Sequence, residues 1–168
     1  MYSDGNSSLF RYVLSLGTTM VFHKTNLKKS RHPLKHKSTR LLRKKLWDIF
    51  SRYIRLKEGG VCFTCGVKRS IKEMCAGHFV HKDCLDFDER NIHVQCRACN
   101  LFRGGNLTIY AEKLEAKYGY GIIQELNRLG NQTKQFKVKE LEEMIKVYKN
   151  KLSKLKKLTE EIASLKEK

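Results

Sequence analysis

The stretches Cys62-Phe-Thr-Cys65 and Cys96-Arg-Ala-Cys99 decide how this 168-residue chain is built. Each is a CxxC pair, and 30 residues lie between them. Two such knuckles can set four thiolates tetrahedrally around one Zn²⁺ at Zn–S distances of about 2.3 Å, and such a site contributes to folding directly. A lone CxxC is compatible with a redox pair. Two in one chain point to a structural zinc on Cys62, Cys65, Cys96 and Cys99, against the plainer alternative of four buried reduced cysteines. All six Cys would suit a disulfide framework only in an oxidising compartment, and no export signal is legible. Cys75 and Cys84 stay outside the pairs, and Cys75 reads as a small residue that is not a ligand.

Between the knuckles stand Ala76-Gly77-His78-Phe79, then His81, Asp83, Asp86 and Asp88, then Asn91-Ile92-His93-Val94-Gln95, with Asn100 directly after Cys99. A purely structural zinc module needs none of these. A His, an Asn about a dozen residues later, and a His or Asn just past a second knuckle have the order of an HNH nuclease, the ββα-metal finger. In that order His78 is general base for a water. Asn91 pins the loop between two strands and so orients the imidazole, and Asn100 holds a divalent metal beside the scissile phosphate. An amide oxygen suits Mg²⁺ or Mn²⁺, which prefer oxygen donors and keep several waters. The chain departs from the common pattern at Gly77, where many HNH sequences have an Asp ligand. Phosphate and water, or a carboxylate from Asp83, Asp86 or Asp88, would then complete the shell. His81, His93 and Asp83 are candidates for supporting positions around the same centre.

Working outward, Trp47-Asp-Ile-Phe-Ser-Arg-Tyr-Ile-Arg-Leu56, Cys62-Phe-Thr-Cys65-Gly66, Ala76-Gly77-His78-Phe79, Phe87-Asp-Glu-Arg-Asn-Ile-His-Val-Gln-Cys96, Cys99-Asn100 and Gly105-Asn106-Leu107 occur in one order. Over about residues 45–150 this resembles the lambdoid phage NinG (Rap) recombination-nuclease family. The resemblance implies a structure-selective DNA endonuclease acting on branched intermediates such as D-loops and Holliday junctions. It also implies that His78, Asn91 and Asn100 are its functional positions and that the four knuckle cysteines are zinc ligands. The competing class is a zinc-containing, non-catalytic DNA-binding accessory protein of recombination.

The flanks are predicted to be helical. Leu42, Leu46, Ile49, Phe50, Tyr53 and Ile54 recur at three- and four-residue spacing after Ser38 or Thr39, and Gly59-Gly60 ends that helix. Within the cysteine region, Val61 to Phe63 and Ile92 to Cys96 suit strands. Asn106 opens a second helix with Leu107, Tyr110, Leu114 and Tyr118, and a short one covers Ile122 to Leu129. A long final helix carries Leu141, Ile145, Tyr148, Leu152, Leu155 and Ile162 in a 4-3-4-3 spacing that skips at Thr159, a seam for a short coiled coil, as in a homodimer, for a helical hairpin partner, or for a single amphipathic helix packed on its own domain. The expected class is α+β, mostly helical, with a small zinc-stabilised ββα finger flanked by helices. Its parts are a basic, disordered arm over 1–37, a helix plus nuclease finger over 38–130, and the final helix over 131–168.

Lys and Arg total 35 against 17 Asp and Glu, a formal net charge of +18, which favours a polyanionic partner and makes DNA the first expectation. The charge is uneven: +12 over 1–57, +1 over 58–106 and +5 over 107–168. Lys28, Lys29, Arg31, Lys35, Lys37, Arg40, Arg43, Lys44 and Lys45 are therefore the expected phosphate contacts, which makes the excess charge the grip and the nearly neutral centre the site. No apolar run approaches a membrane span, and no signal peptide is legible, so a cytoplasmic setting is expected.

Overall fold

The structure, a computed structural model, describes residues 38–166. The proposed arm, with Lys28, Lys29, Arg31, Lys35 and Lys37, lies outside the described residues. Helix α1 (Thr39–Lys57) forms because Leu42, Leu46, Phe50 and Ile54 repeat every four residues as one stripe, each no more than 5% exposed. Arg55 and Lys57 in its last turn complement the helix dipole. The chain then turns through Gly60, whose φ is +74° and where any Cβ would meet the Arg69 carbonyl at 2.5 Å.

The first knuckle follows. Its expected strand over Val61 to Phe63 is reduced to an isolated bridge between Val61 and Lys68, because the turn commits the Cys62 carbonyl to Gly66 N at 2.9 Å. Strand β1 (Cys75–His78) pairs antiparallel with β2 (Ile92–Gln95), in the register Cys75 with Gln95, Ala76 with Val94, Gly77 with His93 and His78 with Ile92. After the second knuckle comes one π-helical turn, Ala98–Phe102, then α2 (Leu107–Tyr118), α3 (Ile122–Gly130) and α4 (Val138–Lys166). Asn106 opens α2 without a side-chain cap bond, sitting instead in the left-handed region at φ +52° after Gly104-Gly105.

Two strands do not make a stable sheet alone, so both faces are covered. Ile92 and Val94 join Leu46, Phe50, Ile54, Leu141, Ile145 and Tyr148 in a core shared by α1 and α4. Each such side chain contributes about 1.5–3 kcal/mol by burial. On the other face His93 stacks on Phe63, and Tyr110 donates from its hydroxyl to the Gly77 carbonyl at 3.0 Å. Tyr110 belongs to a second cluster with Leu85, Leu114, Ile122 and Leu126. The 4-3-4-3 seam of α4 splits between two environments. Leu141, Ile145 and Tyr148 are buried, whereas Ile162 is 53% exposed. No described helix is long and apolar enough to cross a membrane.

Glu89 ties the two long helices together. It accepts from Lys57 at 2.6 Å and Tyr53 at 3.3 Å on α1, and from Lys151 at 2.7 Å and Tyr148 at 3.2 Å on α4. Burial opposes its charge, but hydrogen bonds from Lys151 and Lys57 outweigh this and bring its pKa from the ordinary 4.5 to about 2. A carboxylate depressed by folding stabilises the fold fully above its unfolded pKa and loses that contribution as pH falls through the folded value. Wild-type stability is thus expected to fall between about pH 4.5 and 2 more steeply than that of Glu89→Gln. At neutral pH the variant should lose about 1 kcal/mol, a figure kept small because both lysines are partly solvated. Urea melts of the two proteins across that pH range check both statements.

Candidate metal centre and histidine site

The sulfurs of Cys62, Cys65, Cys96 and Cys99 all lie within 4.8 Å of one another, and none is in a disulfide. Cys65 Sγ and Cys96 Sγ are 3.8 Å apart, the edge of a tetrahedron with metal–sulfur bonds of about 2.3 Å. The set fits a tetrahedral zinc. Burial works against the Cys62 thiolate, yet backbone N–H groups of Cys65 and Cys96 and the Thr64 hydroxyl bring its pKa down to about 6. Burial and the neighbouring sulfurs push Cys65 up to about 12. Four thiols crowded together resist losing all their protons unless a cation is shared among them.

His78 ends β1 on the α1 side. Its ring stacks on Trp47 of α1, with centroids 5.0 Å apart and planes 13° from parallel, and His81 lies 5.3 Å away. The buried Nε2 has no hydrogen-bond partner and faces Asp86 Oδ1 at 3.5 Å. Asp86 takes Arg43 Nη2 on its other oxygen at 2.5 Å, and Arg43 Nη1 reaches Asp83 at 3.1 Å. Burial disfavours the Asp86 carboxylate, but His78 and Arg43 hold it below the usual range. Arg43, an expected phosphate contact, is thus engaged by two carboxylates, while Arg40, Lys44 and Lys45 are exposed on the same helix.

Asn91 is fully buried and uses both ends of its amide. Oδ1 accepts from Val80 N at 2.8 Å, while Nδ2 donates to Val80 O at 3.0 Å and to Leu85 O at 3.3 Å. Together these bonds tie the loop that follows His78 back onto the start of β2. Asn100, on the π-helical turn, packs against Gly77. A Cβ at Gly77 would stand 2.7 Å from Asn100 Oδ1 and 2.1 Å from Gln95 Oε1. The space an Asp at 77 would occupy is therefore filled by two carboxamides. Gln95 is fully buried, donates from Nε2 to Gly105 O at 2.6 Å, and leaves Oε1 without a partner. No hydrogen bond or ring contact joins His78 to Asn100 among the described residues.

His93 belongs to a different environment, for it sits on the face of the sheet opposite His78. Its Nδ1 meets Glu58 at 2.5 Å, its Nε2 meets the Tyr118 hydroxyl at 3.4 Å, and its ring stacks on Phe63 at 4.0 Å. Glu58 also accepts from Val94 N at 2.8 Å, and its carboxyl, opposed by burial, is held low chiefly by His93. Asp83 is exposed apart from its pair with Arg43. Trp47, Glu58, Gln95 and Tyr110 are the contributors that spacing alone did not single out. Trp47 and Gln95 lie inside quoted motif blocks, but nothing in their spacing signals a stack on His78 or a filled gap at Gly77.

A family profile described as "Bacteriophage Lambda NinG protein" matches residues 21–160. "Protein ninG" of Salmonella phage P22 is 38% identical over 68 residues, covering 39% of this chain and 33% of the relative. "Protein ninG" of Escherichia phage 933W matches at the same identity and coverage, and that of Escherichia phage lambda at 37% over 68 residues. The matched stretch spans about a third of these curated relatives. No solved structure matches. The profile takes in both knuckles, both strands and most of α4, and the chain belongs to the NinG family.

Proposed function

We propose that the chain is a metal-dependent DNA endonuclease of phage recombination, selective for branched DNA, in which His78 is the general base. One observation carries this reading: Asn91 locks the loop after His78 from both ends of its amide, while the imidazole, braced on Trp47, makes no saturating hydrogen bond of its own. With Asp86 ionised and facing Nε2, the tautomer carrying its proton on Nε2 is favoured, which leaves the lone pair on Nδ1. Nδ1 is then the atom that takes a proton from water as the oxygen attacks phosphorus and the sugar oxygen departs. Asp86 orients the ring and stabilises the imidazolium that forms. Arg43 holds Asp86 in place until a phosphate competes for the guanidinium.

Asn100 Oδ1 is the oxygen donor this chain offers a Mg²⁺ or Mn²⁺ ion, with substrate phosphate and water as its other ligands, and the bound ion would neutralise developing charge at the phosphate. Its neighbour Gly77 offers nothing, and Gln95 fills the gap. Zinc on the four cysteines has a separate, structural task. Phosphate contacts from Arg40, Lys44 and Lys45 supply affinity without base readout, as suits recognition of shape.

Two outcomes are expected. His78→Ala and the better-packed His78→Gln should lower cleavage by about 10²- to 10⁴-fold while DNA binding and thermal melting stay near wild type. A panel of linear duplex, single strand, flap, D-loop and four-way junction with Mg²⁺ measures this. Full nicking by either variant, or salt-sensitive binding without cleavage of any substrate by wild type, would replace the reading with a non-catalytic DNA-binding one. The second outcome concerns zinc. Purified wild type should carry about one zinc per chain, and Cys62→Ser or Cys99→Ser should lose it together with the cooperative melt, as read by elemental analysis and circular dichroism. A zinc-free wild type with an unchanged melt overturns the structural zinc.

A further inference from the structure

Leu101 and Phe102 stand 55% and 84% exposed at the end of the π-helical turn that begins at the second knuckle. Neither belongs to either core cluster. Two adjacent large apolar side chains thus face water, outside the packed core of the described residues. Their surroundings are cationic. Arg103 follows them directly and Arg97 precedes them by four residues; both are exposed, and both line, with Arg69 and the knuckle residues Cys65, Cys96 and Cys99, a cleft of about 400 Å³. Among the described residues no carboxylate pairs with any of these three guanidiniums. The one acidic residue in the cleft, Glu73, turns its carboxylate to the Ser70 backbone N–H at 3.2 Å. By contrast, Arg43, Lys57, Arg90, Lys117 and Lys151 are all engaged by carboxylates.

An exposed aromatic tip close in sequence to arginines with no carboxylate partner has the chemistry of a wedge for nucleic acid. Its ring offers a stacking face to a base, and its neighbours meet the phosphates on either side. Inside a linear duplex every base face is already stacked and only the two ends are open, so the tip gains little there. At a branch point the terminal base pairs of the arms present open faces. We propose that Leu101–Phe102 is a wedge that stacks on an open base at the branch point of DNA, with Arg97, Arg103 and Arg69 holding the adjoining phosphates. The wedge rests on the DNA reading above and supplies what that reading lacks, a physical source of preference for branched over linear substrate. It lies on the same five-residue turn as Asn100, so a base caught by Phe102 also fixes which phosphate lies beside Asn100.

The test uses the full, zinc-loaded chain and equilibrium binding without added Mg²⁺, so that no cleavage intervenes. Probes are a four-way junction with 2-aminopurine at the branch and a linear duplex of the same base composition. Phe102→Ala should weaken junction binding about tenfold and leave duplex binding within about twofold, with zinc content and melting unchanged. Phe102→Trp should restore junction affinity and the change in 2-aminopurine fluorescence. Arg97→Ala and Arg103→Ala should weaken both DNAs and each lower the salt slope by about one. Equal losses on junction and duplex, or no loss with Phe102→Ala, overturn the wedge while leaving the nuclease reading standing. Failure of wild type to bind either DNA overturns both. A shift in sedimentation of the free protein on Phe102→Ala, without a junction-specific loss, assigns the tip to contact between copies and also overturns the wedge.

Discussion

Bringing Cys62 and Cys65 onto Cys96 and Cys99 closes a loop of some thirty residues, and His78, Asp86, Asn91 and His93 all lie inside that loop, with Asn100 directly after it. Strands β1 and β2 have four residues each and would be marginal by themselves. The knuckles hold one end of the hairpin: Phe63 N donates to Val94 O at 2.6 Å, and Cys75 pairs with Gln95, next to Cys96. The buried amide of Asn91 holds the other end. Closing such a loop costs entropy that grows only slowly with its length, so a metal on the four sulfurs would offset it and still leave the intervening residues free to be polar.

Helix α1 then clamps both faces of the hairpin from one side chain stack and one carboxylate. Trp47 braces His78, and Glu58, just past the helix end, holds His93 and the Val94 amide. Because Glu58 caps the C-terminus of the helix that carries Trp47, with Phe50 and Ile54 buried between them, the two histidines are kept in fixed relation although they lie on opposite faces. Glu89 extends the clamp to α4. The same ion pairs revise the meaning of the +18 charge: Arg43, Lys57, Arg90, Lys117 and Lys151 are spent on internal carboxylates, so the cations available to a phosphate are fewer than the count and more localised.

Helices were the most legible part of the chain. The stripe of Leu42, Leu46, Phe50 and Ile54 and the spacing of Leu141, Ile145 and Tyr148 follow a period that burial enforces, so α1 and the first half of α4 stand where the pattern puts them. Strand β1 was harder, since Cys-Ala-Gly-His has neither alternation nor branched residues. Its place is set by partners far along the chain, Val94 and Tyr110, and not by its own propensity. Val61 to Phe63 failed as a strand for the converse reason: branched and aromatic residues suit one, but the CxxC turn takes the backbone bonds first. The proximity of the four cysteines was readable from spacing. Glu58 was not, because the pairing that matters joins residues 35 positions apart.

His78 and His93 show how much of a histidine's role is decided by what remains unsatisfied. Both are stacked on an aromatic ring, Trp47 for one and Phe63 for the other, and both face a carboxylate. His93 is 1% exposed, with Glu58 on one nitrogen and Tyr118 on the other, so neither lone pair nor proton is available to a reactant. Such a ring stitches α1 and α2 to the sheet. His78 has only the longer approach of Asp86 to one nitrogen, and it stands where the sheet gives way to the pinned loop. Satisfying a buried imidazole is what a fold does when stability alone is at stake. His78 is braced but incompletely bonded, with a buried Nε2 that has only the longer approach of Asp86, and this difference from His93 is what the proposed role of His78 rests on.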